Sequence, residues 1–263
     1  MDLGLEGMVA VVTGGSEGIG KAAARSLGRE GARVVICARR SDVLERAAAE
    51  ISAEVGATIL PVQADVSRPD DVERLIAAAV ERLGRLDILV NNAGTSRGGP
   101  FEAASDEIWQ QDLDLKLFGA IRTTRAALRH LRASGGGSIV NLLNIGAKQP
   151  GARSVPTSVS RAAGLALTKA LSKELAVDKI RVNAVLIGLI KSGQHERRWR
   201  AQGGAASLQD FYADMARNPR AIPLGRVGEA EEAGDLIAFL SSPRASYITG
   251  VAINLDGGES GAV

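Results

Sequence analysis

Residues 8–20 read MVAVVTGGSEGIG. The first six form a short unbroken apolar run, the pattern of a strand covered on both faces. Gly14, Gly15, Ser16, Glu17, Gly18, Ile19 and Gly20 follow, and helical spacing then continues to about Glu30. Glycines between a strand and a helix let the backbone turn tightly and approach a diphosphate closely. The helix N-terminus adds free N–H groups and the positive end of its dipole. A glycine pattern alone also fits a plain tight turn, and its placement straight after the first strand favours the phosphate cradle.

Outward from this turn, apolar runs alternate with helical patterns. Further strands are predicted over residues 33–38, 58–63, 86–90, 138–143, 180–186 and 251–255. Between them lie helical stretches over 41–55, from Pro69 through Arg82, from near Ser105, over 112–133, over 157–177 and over 229–240. Gly56 and the run Gly135-Gly136-Gly137 act as stops. The helix over 157–177 is so rich in alanine and leucine that burial on more than one side is expected. The alternation predicts one α/β domain over residues 1–263: a Rossmann-type, doubly wound parallel sheet in three α/β/α layers. Residues 191–222 are polar and irregular and read as a lid-like loop insertion, with the basic cluster His195, Arg197, Arg198 and Arg200.

Composition narrows the function. The 263 residues are 45% hydrophobic and 24% charged, which suits one domain with a large core. A formal net charge of +2 gives no field for nucleic acid. No apolar run approaches the ~20 residues that span a bilayer, and nothing at the N-terminus reads as a signal peptide, so a cytoplasmic protein is expected. Cys37 sits in the run VVIC and reads as a buried structural thiol. No His/Cys/Asp cluster has metal-ligand spacing.

The motifs resemble those of the short-chain dehydrogenase/reductase (SDR) family over essentially the whole chain. TGGSEGIG matches TGxxxGIG. In the same order come Asp65-Val66, Asn91-Asn92-Ala93-Gly94, Pro223-Leu224-Gly225-Arg226, Tyr247-Ile248-Thr249-Gly250 and Asp256-Gly257-Gly258. The resemblance implies that Asp65 and Val66 hold an adenine, that Asn92, Ala93 and Gly94 line the adenosine and ribose side, and that Ile190 contacts a carboxamide. Gly188 and Ser192 fit the family's PGxIxT pattern, whose proline is Ile187 here. The acid that selects NAD at the end of the second strand is replaced by Ala38, and Arg39 and Arg40 follow it. Guanidinium groups suit a 2′-phosphate. Glu17 would repel it. NADP(H) is therefore favoured over NAD(H).

The family's chemistry, as the resemblance implies, uses a tyrosine that protonates the alkoxide and a lysine one helical turn later. A serine orients the carbonyl, and an asparagine on the preceding long helix supports a water relay. Here those positions hold Thr157, Arg161, Asn144 and Lys116. Threonine lacks a phenol's accessible ionisation, and arginine stays charged and cannot relay protons. Asn144 can still hydrogen-bond a carbonyl oxygen. Ser158 and Ser160 are expected to face elsewhere, and Tyr212 and Tyr247 lie in the lid and near the last strand. Lys116 is either a helix lysine reaching for solvent or a buried acid, base or amine nucleophile. Arg97, Arg153, Lys191 and His195 are expected around the mouth, where they would suit an acidic substrate.

Three readings stand open: an atypical NADP(H)-dependent oxidoreductase on a carbonyl or hydroxyl of a small molecule, a catalytically inactive nucleotide-binding subunit or sensor, and a non-redox lyase or hydratase using Lys116. The resemblance also implies a homo-oligomer, a tetramer, with a hetero-oligomer containing an active relative as the alternative.

Overall fold

A computed structural model of the chain describes residues 2–203, 207–217 and 222–262. The first half runs β1 (Val9–Thr13), α1 (Gly18–Arg29), β2 (Arg33–Ala38), α2 (Ser41–Val55), β3 (Ile59–Gln63), α3 (Pro69–Leu83) and β4 (Ile88–Asn91). It continues through β5 (Gly98–Gly99), α4 (Asp106–Leu113), a π-helical turn (Asp114–Phe118), α5 (Gly119–Ala133), β6 (Gly137–Asn144) and β7 (Val155–Pro156). The last part holds α6 (Thr157–Glu174), β8 (Ile180–Ile187), α7 (Gly193–Ala201), α8 (Leu208–Arg217), α9 (Ala230–Ser241) and β9 (Ala252–Leu255).

Seven strands form one parallel sheet in the order β3-β2-β1-β4-β6-β8-β9. The period of two along β1 splits the core into two layers. Ala10 and Val12 pack with Leu27 of α1, Ile51 of α2 and Ile237 of α9. Val9 and Val11 point the other way, onto Leu75 and Ile76 of α3 and Leu131 of α5. The chain winds outward from β1 through β3, then crosses back to β4, so neighbouring connections diverge between β1 and β4. A crevice opens at the carboxyl ends of these strands.

The structure departs from the sequence expectations at three places. The stretch read as an irregular lid carries two helices, α7 and α8. Tyr212 and Ala216 of α8 pack with Ile222 and Val227, and residues 204–206 and 218–221 lie outside the described residues. Helix α6 is buried along a narrow, small and polar face (Thr157, Ser158, Ser160, Gly164, Thr168, Ser172), while Val159 is 44% exposed. The helices expected near Ser105 and over 112–133 join through the π turn at Asp114–Phe118. A widened turn of this kind is frequent at functional sites.

Cys37 is buried, as expected, and burial pushes its thiol up to about 12. Among the described residues no helix is long and apolar enough to cross a membrane, and no group of His, Cys, Asp and Glu is arranged to hold a metal ion.

Leu89 in β4 is wholly buried in the second layer. Leu89→Ala is expected to cost about 2–5 kcal/mol of stability, read as a lowered midpoint in chemical denaturation.

Candidate active site

A cleft of about 1660 Å³ runs along the carboxyl ends of the strands. At one end lie Arg39, Arg40, Asp65 and Val66; at the other lie Asn144, Thr157, Ser158 and Arg161. Gly14, Ser16, Glu17, Gly18, Ile19, Asn92, Ala93, Gly94, Gly188, Ile190 and Ser192 line it between. Gly15 and Gly20 do not line it; they shape the turn from behind. A Cβ on Gly15 would fall 2.7 Å from the Ile36 side chain, and one on Gly20 only 2.2 Å from the Gly14 carbonyl oxygen.

The turn is stitched to β4 by side chains. Thr13 Oγ1 accepts the Asn92 and Ala93 N–H groups, each at 3.0 Å. Asn92 Nδ2 donates to the carbonyls of Thr13 at 2.8 Å and Gly14 at 3.0 Å. Asp65 faces the cleft while its Oδ1 accepts from the Ser67 amide and hydroxyl. These residues fit a dinucleotide. The glycine turn opens α1, whose N-cap residue, Glu17, makes no side-chain cap, and the buried Nε of Arg161 has no partner.

At the chemical end the four substituted positions converge. Lys116 is wholly buried and forms an ion pair with the equally buried Asp112 of α4. Its Nζ also donates to Thr157 Oγ1 at 2.7 Å. Thr157 Oγ1 accepts the Arg97 N–H at 3.0 Å as well. Ser160 Oγ donates to Asp112 Oδ2 at 2.7 Å. Burial pulls the Lys116 ammonium down to about 8; Arg161 adds to the fall and Asp112 opposes it. Arg161 Nη1 donates to the Leu142 carbonyl at 2.8 Å. Burial lowers its guanidinium to about 10, still charged at neutral pH. Asn144 Oδ1 is buried without a hydrogen-bond partner.

This geometry corrects several expectations. Lys116 does not reach solvent, and it does not line the cleft; Thr157 stands between it and the cavity. A role as an amine nucleophile, and the lyase or hydratase reading built on it, is therefore not supported. Ser158 faces the cleft rather than away from it, and Ser160 turns inward to Asp112. Asp112 and Ser160 are the site residues that motif reading missed. The one available signal was the i,i+4 spacing of Asp112 and Lys116.

The cationic mouth is also redrawn. Arg153 and His195 line it together with Arg197 and Arg198 of α7. Arg97 instead reaches Gln111, and Lys191 pairs with Glu229 and lies over the Tyr212 ring. Glu17 is paired with Arg40 at 3.0 Å and with Arg197 at 3.5 Å, so its charge is compensated at the corner where a 2′-phosphate was expected. Among the described residues no tyrosine lines the cleft: Tyr212 is buried beneath the lid and Tyr247 is fully exposed.

A methyl group on Gly20 has no space, so Gly20→Ala must push the turn open. NADPH affinity, titrated by fluorescence, is expected to fall more than about tenfold, because backbone cannot yield as a flexible side chain does.

A family model described as enoyl-(acyl carrier protein) reductase matches residues 14–260. The chain is 41% identical over 258 residues to a Streptomyces violaceoruber protein named for ketoacyl reductase 2 of the granaticin polyketide synthase, covering 96% of each. Among solved structures, it is similar to L-sorbose reductase of Gluconobacter frateurii, complexed with NADPH and L-sorbose (TM-score 0.95, 34% identity, 100% of both chains). It is also similar to a short chain oxidoreductase of Pseudomonas aeruginosa PAO1, NADPH-bound and described as containing an atypical catalytic center (TM-score 0.91, 39% identity, 97% of this chain and 98% of that one). The fold, the glycine turn and these relatives together establish that the chain belongs to the short-chain dehydrogenase/reductase family.

Proposed function

We propose that the chain is an NADP(H)-dependent oxidoreductase that interconverts a carbonyl and a hydroxyl on a small acidic substrate, with Thr157 and Lys116 replacing the family's tyrosine as the proton source. The observation that carries this reading is the 2.7 Å hydrogen bond from the buried Lys116 ammonium to Thr157 Oγ1 at the wall of the cleft. A bound nicotinamide supplies or takes up the hydride. The chain's own residues handle the substrate oxygen and its proton.

Thr157 Oγ1 accepts from both Lys116 and the Arg97 amide, which fills its lone pairs. Its hydroxyl hydrogen is left for an oxygen in the cleft. As charge grows on that oxygen, Thr157 hands over its proton and takes one from Lys116. Threonine is too weak an acid to do this alone, but an ammonium held near 8 is well matched to neutral pH. The Asn144 amide orients the carbonyl, and Arg161 grips ribose hydroxyls with a charge that stays fixed. Arg153, His195, Arg197 and Arg198 favour a carboxylate, a phosphate or an acyl-thioester carrier at the mouth. The relatives named for ketoacyl and sorbose reduction, and the one with an atypical catalytic center, support a carbonyl substrate and a replaced proton donor.

The second reading, an inactive nucleotide-binding subunit, draws on the lack of a tyrosine among the described lining residues. A tetramer is supported by family membership alone.

Thr157→Val keeps the shape and removes the hydroxyl. Reduction of a ketone substrate by NADPH is expected to slow about 10²–10⁴-fold in kcat with NADPH affinity unchanged. The acid must be protonated, so wild-type kcat for reduction is flat at low pH and falls as pH rises through about 8. Full activity in Thr157→Val would remove the relay. No turnover by the wild type over a broad carbonyl panel, despite NADPH binding, would favour the inactive subunit.

Arg40→Ala tests the cofactor preference. Loss of one charge-assisted contact is worth about 1.5–3 kcal/mol, or roughly 10- to 100-fold weaker NADPH binding with NADH unaffected. Equal loss for both cofactors in calorimetry would assign Arg40 to structure rather than to the 2′-phosphate.

A further inference from the structure

Lys116 is a wholly buried cation that does not line the cleft, and something must keep a proton on it. A buried ammonium without a partner gives its proton up. The groups facing Lys116 come from three elements besides its own π turn. Asp112 lies at the end of α4, and Thr157, Ser160 and Arg161 lie on α6. Arg97 lies on the segment after β4, with its amide on Thr157. Arg161 and Arg97 repel the ammonium, and among the described groups Asp112 supplies the opposing negative charge.

Asp112 is built for that role. Its side chain is wholly buried. One oxygen takes Lys116 and the other takes the Ser160 hydroxyl, so the carboxylate plane is fixed by two partners. Ser160 Oγ also lies 3.0 Å from the Thr157 carbonyl oxygen, so its one hydroxyl hydrogen is shared between that oxygen and the closer Asp112 Oδ2. One helical turn of α6 thereby ties the acceptor of the proton, Thr157, to the residue that aims it.

We propose that Asp112, clamped by Ser160, is the positioning residue of this site and holds Lys116 as an ammonium directed at Thr157 Oγ1. Asp112 touches neither the cleft nor a reacting atom; it acts through Lys116. The inference rests on the proton-relay reading given above, and it is tested by a measurement that needs no turnover.

The lysine side chains are labelled with ¹³C at Cε, the Lys116 signal is assigned by its loss in Lys116→Arg, and its shift is followed from pH 6 to 11. In the wild type Lys116 is expected to titrate near 8. Asp112→Asn has the same shape and no charge. In that variant the titration is expected to move down, leaving the amine neutral at pH 7. The alkaline fall of kcat moves down with it, while KM for the carbonyl substrate changes little. An unmoved Lys116 titration in folded Asp112→Asn overturns the proposal. A shifted titration in a protein that never turns over upholds it and sinks the relay reading instead, so the two failures are distinct.

Should Asp112→Asn not fold, a pair of variants carries the same question. Lys116→Met leaves a buried carboxylate without its cation and is expected to lower the denaturation midpoint. Asp112→Asn in that background is expected to recover part of the loss. Further loss in the double variant would mean that the two side chains do not act as a pair.

Discussion

The architecture depends on how closely two backbones approach at the ends of β1 and β4. Four hydrogen bonds join Thr13 and Gly14 to Asn92 and Ala93 across this gap, each with a main-chain group on one side. The approach is possible because Gly20 has no Cβ to strike the Gly14 carbonyl. Below the stitch, Asn91 is tied to Thr123, Thr124 and Asn141 in a buried polar network that locks β4 to α5 and β6. Polar groups this deep hold one arrangement only while all are satisfied. The rigidity at the strand ends is what gives the cleft a defined floor, and the same β6 carries Asn144 to its far end.

A second constraint acts on charge rather than on shape. The chemical end of the cleft holds two buried cations, Lys116 and Arg161, and one buried anion, Asp112. Such a cluster would be costly without hydrogen bonds to every member. Lys116 is served by Asp112 and Thr157, Asp112 by Lys116 and Ser160, and Arg161 by the Leu142 carbonyl alone. The unfilled capacity sits on the Arg161 Nε and the Asn144 Oδ1, and both residues border the cavity. These two unpartnered atoms belong to residues that a ligand in the cleft would meet.

The sheet and the glycine turn were legible because their causes are local. A glycine pattern after an apolar run, and alternating runs of period two and 3.6, report backbone sterics and burial directly. The candidate catalytic cluster was half legible. Motif register placed Asn144, Thr157, Arg161 and Lys116 at one end, and the structure brings them together there. Whether Lys116 points in or out was not written in its own neighbourhood, since Asp112 and Lys116 one turn apart look like any surface pair. Ser160 escaped because α6 buries a polar face, which reverses the usual sign of the pattern. In the lid, α7 (GQHERRWRA) is polar all round and has no apolar stripe to read. Helix α8 did carry one: Leu208, Phe211, Tyr212 and Met215 recur at i, i+3, i+4 and i+7, and all pack in the lid cluster.

The substitutions at the four positions make sense together and not singly. In the proposed relay, threonine in place of a phenol gives a shorter and far less acidic donor, so the proton is drawn from Lys116 behind it. An ammonium placed there needs a carboxylate, and Asp112 brings one from the previous helical turn. A titrating lysine at the ribose position would then compete with Lys116 for the same proton. Arginine keeps the charge and the donors while withholding exchange. The net positive charge that results faces the place where an alkoxide would form, and a fixed charge in a dry site stabilises such an oxygen more strongly than water does. On this account the departures act as a set: restoring asparagine at position 116 alone would leave Thr157 without its proton source and the buried Asp112 carboxylate without its cation.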